Sequence, residues 1–491
     1  MNLTVLEAQL PQIKAEALIL PIREGAPLSG LLSEIDQASG GAIATALKSR
    51  TFKAKAGQVE TLYPVSGLGA ARVVLVGLGQ DAPSAEDWRT AVSKGLDQAD
   101  GKVTSVAILL TDALPGALAA EAGAEAALLS LYQFHPYQEA DPDEVTIGEV
   151  VLLAASPAEA APAAERGAAM ARAVNWVRDL SNKPGNMLRV PDLVAEAAGL
   201  AKSHAISARV FDAEALDREG LGLVAAVGRG SEDPPAFVVL EYKGGGAEAP
   251  IALVGKGITF DTGGICIKPR AGMEEMKTDM HGAATVMGVM RMAAERQLPV
   301  NLVGLLSIAE NMPAGNAFKP GDILKAYNGM TVEIADTDAE GRLVMADGIA
   351  YAVKNHAPRA VIDIATLTGS VIMAVGWEAS GLFCDDAVAQ GLVAAGEATG
   401  ERLWRFPTWD GYAENVKSDI ADLRNSAKGR GGDAINAGMF LRAFADGVPW
   451  AHLDIAGPSW IMEPRPYRPK GSTGVGVRLL IQWLEDGAPI G

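Results

Sequence analysis

Apolar runs of strand length alternate with helical patterns along this chain, and that alternation restricts its fold more than any other feature. RVVLVGLG (72–79), TSVAILL (104–110) and EVVLLAA (149–155) are strand-length runs. AEDWRTAVSKGLDQ (85–98) and GALAAEAGAEAALLSLYQF (116–134) lie between them as helical patterns. The rhythm returns beyond residue 187. There IALVGKGITF (251–260), NLVGLLSIAE (301–310), RAVIDIATL (359–367) and WAHLDIAG (450–457) read as buried strands. HGAATVMGVMRMAAERQ (281–297) and LVMADGIAYAVKNHA (343–357) read as helices that follow loops. Strands alternating with helices predict an α/β protein built on mixed or mostly parallel sheets flanked by helices.

At 491 residues the chain is too long for one ordinary domain, since a domain takes roughly 150. The segment PAEAAPAAERG (157–167) reads as a linker that runs into a connecting helix over 168–182 and then KPGN (183–186). The expected organisation is an N-terminal α/β domain over 1–160, a connection over 161–186 and a larger C-terminal catalytic domain over 187–491. No internal repeat is visible. The Gly-rich stretches at 244–246 and 429–432 read as mobile loops.

Several function classes lose support at once. The net charge of −18 argues against nucleic acid as the main partner, because phosphate binding needs a basic footprint. Two cysteines, Cys266 and Cys384, cannot make a disulfide framework or a Cys-based zinc knuckle. The N-terminus lacks the basic stretch, apolar core and cleavage site of a signal peptide, and no window approaches about 18 uninterrupted apolar residues. A cytoplasmic protein without a membrane partner is expected. Gly77 and Gly79 hint at a dinucleotide turn, but Ala82 stands where the third glycine belongs and Pro83 interrupts the helix start. The HExxH and G-x-S-x-G motifs are absent.

Chemistry concentrates in three Gly-rich segments. GKGITFDTGGICIKP (255–269) places Lys256, Asp261 and Lys268 around a turn after a strand. EEMKTDMHGAAT (274–285) places Asp279 just before a helix. IADTDAEGRLVMADG (334–348) carries Asp336, Asp338, Glu340 and Arg342, again just before a helix. In an extended stretch, acids two residues apart point the same way. Read singly, each acid is a helix cap or a solvated loop charge. Read together, carboxylates crowded into one cleft repel unless cations sit among them. Asp261, Asp279, Asp338 and Glu340 carry four negative charges, which two divalent ions would neutralise. Oxygen ligation suits Mn²⁺, Zn²⁺ or Mg²⁺. Paired metals can generate a hydroxide nucleophile and clamp a tetrahedral intermediate. Lys268 and Arg342 are spare cations that can stabilise an oxyanion.

These residues also form a recognisable pattern. DTDAEGRL (336–343) resembles the signature octapeptide of the leucyl (cytosol) aminopeptidase family, usually written with Asn first. GKGITFDTGGICIKP, MKTDMHGAA (276–284), RDLSNKPGNML (178–188), VGRGSEDPPAFVVLEY (227–242), DIATLTG (363–369), WAHLDIAG and KGSTGVGVRLL (470–480) match in the same order, over roughly 165–491. The N-terminal third shares only the strand–helix rhythm. The resemblance implies two α/β domains, six subunits as a dimer of trimers, and release of N-terminal residues from peptides that carry a free amine. It matches Lys256, Asp261, Asp279, Asp338 and Glu340 to the ligands of two metals, with Asp261 and Glu340 bridging. It matches Lys268 to the lysine that polarises the scissile carbonyl, and Arg342 to the arginine that holds a bicarbonate acting as general base. Met276, Thr366 and Gly369 resemble the wall of a pocket for apolar side chains such as Leu or Met.

Two positions depart from the pattern. Asp336 stands where the family usually has Asn and adds a negative charge. His281 stands where Gly is usual and reads as a residue of the helix N-terminus. Competing readings are a cysteinyl-glycine-type dipeptidase on the same site, and a non-catalytic DNA-binding or structural hexamer. His135, His204, His356 and His452 are scattered and read as structural or surface residues.

Overall fold

The computed structural model describes residues 1–8, 13, 15–63, 67–139, 141–429 and 431–491. Of the Gly-rich stretch at 429–432, Arg430 therefore lies outside the described residues. The chain forms two compact units. Met1–Asn175 and Glu463–Lys470 make the first, and Trp176–Met462 and Gly471–Gly491 make the second.

The first unit is built on β1 (Asn2–Glu7), β2 (Ala17–Arg23), β3 (Val59–Leu62), β4 (Arg72–Gly79), β5 (Ser105–Leu109) and β6 (Glu149–Ala154). Their order is β1-β6-β5-β2-β4-β3, and only the β3–β4 pair is antiparallel. Successive residues of β2 enter different cores, as the two-residue period of a strand requires. Ala17 and Ile19 pack with residues of the helices Ala85–Ala99 and Gly116–Ser130, whereas Leu18, Leu20 and Ile22 pack with Gly30–Ala38 and Ala42–Lys48. Both faces are covered, so these strands are continuous apolar runs. The helix Ala85–Ala99 starts at a capping box in which Ser84 and Asp87 satisfy each other's backbone N–H.

The segment expected as a linker is helix instead. One continuous helix runs from Pro157 to Asn182, with Pro162 inside it. Alanine's helix propensity carries the chain past the single hydrogen bond that Pro162 removes, and Ala160 and Ala164 are buried against the sheet.

The second unit contains β7 (Ile206–Phe211), β8 (Ala236–Lys243), β9 (Ile251–Asp261), β10 (Asn301–Asn311), β11 (Ile323–Lys325), β12 (Thr331–Glu333), β13 (Ala360–Ala365), β14 (Ser380–Cys384), β15 (Leu403–Arg405), β16 (Leu423–Arg424) and β17 (Trp450–Asp454). Eight of these form a sheet in the order β15-β14-β17-β13-β9-β10-β8-β7. Its central strands β17, β13, β9 and β10 are parallel neighbours, so their C-terminal ends lie along one edge. The chain passes from β9 to β10 on one side and then returns across β9 to β13. That reversal is the place where open α/β sheets form binding crevices. The helices His281–Glu295 and Gly341–His356 cover opposite faces, because Gly255 of β9 lies against Ala283 while Val254 lies against Gly348.

In a separate small sheet, β11-β12-β16, the strands β11 and β12 lie on the chain just before the acidic 334–340 segment, and β16 joins them from residues 423–424. The stretch 244–246, expected as a mobile loop, is pinned by one side chain. Asn301 accepts from Gly245 N and donates to the carbonyls of Gly246 and Glu248. Among the described residues, no helix is long and apolar enough to cross a membrane.

Candidate metal centre

The residues singled out in the sequence meet at the C-terminal edge of the central strands. Lys256 and Asp261 both belong to β9, so Lys256 projects from the strand expected over 251–260. Asp261 is the last residue of that strand, and Asp279 lies two residues before the helix His281–Glu295. Glu340 stands at the N-cap position of Gly341–His356 without a side-chain capping bond, which leaves its carboxylate for the cluster. A side chain at 341 would collide with the Lys256 stem, since a Cβ there would lie 2.5 Å from Lys256 Cε; glycine lets the helix start beside the lysine.

The 334–340 segment is a turn, not the extended stretch in which acids two apart align. Asp336 Oδ1 accepts from Asp338 N at 2.9 Å and bends the chain back. Asp336 is thereby committed to the backbone, while Asp338 and Glu340 reach the cluster.

Two lysines interleave with four carboxylates. Lys256 Nζ lies 2.8 and 2.7 Å from the two oxygens of Asp279 and 2.9 Å from Glu340 Oε1. Lys268 Nζ lies 2.8 Å from Asp261 Oδ2 and 2.6 Å from Asp338 Oδ1. One oxygen from each of Asp261, Asp338 and Glu340 falls within 4.8 Å of the others. Gly263, with φ of 85°, turns the loop back so closely that a Cβ would lie 2.5 Å from the Cys266 carbonyl. That turn brings Lys268 under Asp261.

The charges do not balance. Four carboxylates face two ammonium groups, so two negative charges stay uncompensated in a buried site. Burial raises the pKa of Glu340, Asp261 and Asp279 add to the rise, and the lysines oppose it. Burial likewise raises Asp279 and Asp338, each with Asp261 as the strongest repelling charge and a lysine opposing the rise. Burial would lower Lys256 and Lys268, but the surrounding carboxylates outweigh it and hold both well above their ordinary value. Glu340 is 1% exposed; its Oε1 meets only the Lys256 ammonium, and its Oε2 has no partner among the described residues. A buried carboxylate without hydrogen bonds is costly unless a cation lies against it. Hard oxygen donors, an excess of negative charge and these orphaned atoms fit divalent cations.

Arg342 is buried near the cluster. Its Nη1 donates to the Asn425 carbonyl at 2.7 Å, and its Nη2 lies 4.0 Å from Asp433 Oδ1. Its Nε has no hydrogen-bond partner among the described residues, which leaves donor capacity for a small anion. Burial pulls the guanidinium pKa down, against the pull of Asp433, Glu340, Asp336 and Asp454.

The expected pocket residues are placed unequally. Thr366 follows β13 and touches the cluster, donating from Oγ1 to Asp279 Oδ1 at 2.6 Å, while its carbonyl lies 3.3 Å from Lys256 Nζ. Met276 lies half-buried in the short helix Met273–Thr278, and its carbonyl accepts from Asp279 N. Gly369 is exposed at the start of the helix Gly369–Val375. His281 opens its helix, fully buried, with Nδ1 3.4 Å from Ser472 Oγ.

Three supporting residues escaped the sequence reading. Asn311 ends β10 and donates from Nδ2 to Asp261 Oδ1. Asn425 follows β16 and binds the 335–339 backbone. Asp454 ends β17 and accepts from Leu367 N and Thr368 Oγ1, which ties down the loop that carries Thr366. The one available signal was position, since Asn311 directly follows a predicted strand and Asp454 lies inside another.

Comparisons with known proteins identify the family of the chain. Residues 175–481 match the catalytic domain of the cytosol aminopeptidase family, and residues 19–141 match its N-terminal domain. A probable cytosol aminopeptidase of Geobacter sp. (strain M21) is 44% identical over 92% of this chain and 94% of its own. One of Roseiflexus castenholzii is 46% identical over 89% and 91%. Among solved structures, the bottromycin maturation enzyme BotP in complex with Mn superposes with a TM-score of 0.85 at 35% identity, over 96% of this chain and 100% of that one. Matched in both domains and along nearly its whole length, the chain belongs to the cytosol aminopeptidase family of metal-dependent hydrolases.

Proposed function

We propose that the protein is a two-metal aminopeptidase that releases N-terminal residues, preferably Leu or Met, from peptides with a free amine. The observation that carries this reading is the interleaving of buried Lys256, Asp261, Asp279 and Glu340 with the more exposed Asp338 in one cluster with too few positive charges. Asp261 and Glu340 would each contribute ligand oxygens to the metal centre. Lys256 and Asp279 would serve the ion beside the substrate's α-amine, and Asp338 the other. Bound there, divalent cations would activate water and polarise the scissile carbonyl, and a bicarbonate on Arg342 would act as general base. Mn²⁺ is the first ion to test, because the BotP structure contains Mn; Zn²⁺ and Mg²⁺ suit the same donors.

This chain's own residues supply the rest. Lys268 donates to the oxyanion that forms from the scissile carbonyl, which requires it to leave the carboxylates it pairs with here. Thr366 fixes Asp279 through its hydroxyl and so orients that carboxylate toward the amine side. Arg342 presents its free Nε to the anion. Lys256 acts as a ligand only when neutral, which needs the cations to overturn the raised pKa it has among carboxylates alone. A cytoplasmic homohexamer without membrane or nucleic-acid partners completes the proposal.

The test is leucine p-nitroanilide hydrolysis by protein stripped of metal, then supplied with Mn²⁺, Zn²⁺ or Mg²⁺. Activity lost on chelation and regained with an added ion supports the reading. Cleavage of an Nα-acetylated substrate as fast as the free-amine one would contradict capture of the amine.

A further inference from the structure

We propose that Asn425 is the positioning residue that moulds the metal-binding turn, and that its integrity sets the affinity of the metal centre. The proposal rests on the two-metal reading above. The segment 334–340 has no helix or strand of its own. Its one internal side-chain bond, from Asp338 N to Asp336, does not fix where Asp338 and Glu340 point. Asn311 and the Gly263–Cys266 loop hold Thr337 at the middle of the segment, and Asn425 supplies the constraints on either side of it from 85 or more positions along the chain.

The pairing of β16 with β12 sets its depth, with Val332 beside Leu423 and Glu333 beside Arg424. Asn425 N then donates to the Glu333 carbonyl at 3.0 Å. Its side chain is fully buried, and both ends are in use. Oδ1 accepts from Ala335 N at 2.8 Å and Asp336 N at 3.3 Å. Nδ2 donates to the Asp336 carbonyl at 2.5 Å and the Ala339 carbonyl at 3.3 Å. An amide offers two donors and two acceptor positions, and all four are filled here by the turn's backbone. The main-chain carbonyl of the same residue holds Arg342 Nη1.

One residue thus holds both flanks of the turn before Glu340 and the guanidinium after it. Asn425 makes no hydrogen bond to any of the proposed ligand side chains, so its role is placement. Partners that orient metal ligands typically change affinity by 10–100-fold when removed. Aspartate has the same shape but puts an acceptor where Nδ2 donates, against the Asp336 and Ala339 carbonyls. It should therefore be as damaging as truncation, although it fills the same space.

The experiment is Mn²⁺ titration of full-length wild-type, Asn425→Ala and Asn425→Asp proteins by calorimetry, with circular dichroism and urea unfolding of each metal-free form. The expected result is Mn²⁺ affinity lowered at least tenfold in both variants, with wild-type secondary structure and a larger loss in kcat than change in KM. Folded variants with wild-type affinity would overturn the proposal. So would failure of both variants to fold in metal-replete medium, which would make Asn425 a fold residue only. A wild-type protein that binds no Mn²⁺, Zn²⁺ or Mg²⁺ would instead remove the two-metal reading itself, and this inference with it.

Discussion

Asn311 donates from Nδ2 to Asp261 Oδ1 at 2.8 Å, from the end of one parallel strand to the end of its neighbour. The same amide donates to the Thr337 carbonyl at 3.1 Å, and Gly263 N also donates to Asp261 Oδ1. Oδ1 is thereby occupied, and Oδ2 is left to face the cluster. Asn311→Ala should weaken Mn²⁺ binding by about 10–100-fold. It should also destabilise the metal-free protein by about 1–3 kcal/mol, because a buried carboxylate and a carbonyl each lose a donor. Chelator competition and urea unfolding read the two effects separately. Unchanged metal affinity would show that Gly263 N alone holds Asp261.

Asp336→Asn tests the charge that distinguishes this chain from the family's usual octapeptide. Asparagine keeps the oxygen that accepts from Asp338 N, so the turn should survive and stability should move by less than about 0.5 kcal/mol. The neutral side chain removes one negative charge near the cations. Divalent-ion affinity should fall by up to about tenfold at low salt and by less at physiological ionic strength. Equal affinity of the two proteins at low salt would show that the Asp336 charge is fully screened.

Much of this architecture could be read from the chain alone, for a physical reason. β9, β10 and β13 are buried on both faces, and such strands announce themselves as unbroken apolar runs. The acids were legible because charge in a Gly-rich connection between strand and helix is conspicuous. The short strands β11, β12 and β16 were not, since two or three residues carry no measurable period. With them went Asn425, whose partners lie 83 to 92 positions away and whose surroundings, RNSAKG, look like any polar loop. The turn at 336–340 was misread as extended because a two-residue spacing has the same appearance in both conformations. Backbone hydrogen bonding, which spacing does not encode, decides between them.

Lys268 pairs with Asp261 and Asp338, and this makes a sharper prediction than loss of activity. Lys268→Met keeps the stem and removes the ammonium. Loss of one oxyanion donor should lower kcat by about 10²–10³-fold. Metal affinity should hold or rise, because the ammonium competes with cations for the same two carboxylates. Inductively coupled plasma analysis of dialysed protein, beside kcat, reads both. A variant that loses its metal would make Lys268 a structural counter-charge instead of a catalytic one.

Asp347 gives a pH prediction away from the metals. This fully buried carboxylate accepts from Leu223 N and Val224 N at one oxygen and from Tyr327 N at the other. Burial pushes its pKa up to about 7, although the three N–H groups pull it down. Below the ordinary value of 3.8 the group is protonated whether the chain is folded or not. Between there and about 7 only the folded chain keeps the proton, so its stabilising contribution declines as pH rises and is gone above that window. The limiting slope for one group is about 1.4 kcal/mol per pH unit. Asp347→Asn cannot titrate, and its NH₂ faces a backbone N–H, which costs about 1–3 kcal/mol. Urea unfolding of the metal-stripped proteins should therefore show the gap between wild type and variant narrowing from pH 5 to pH 8. A gap that stays constant or widens would mean that the carboxylate is ionised throughout, with its three N–H donors outweighing burial.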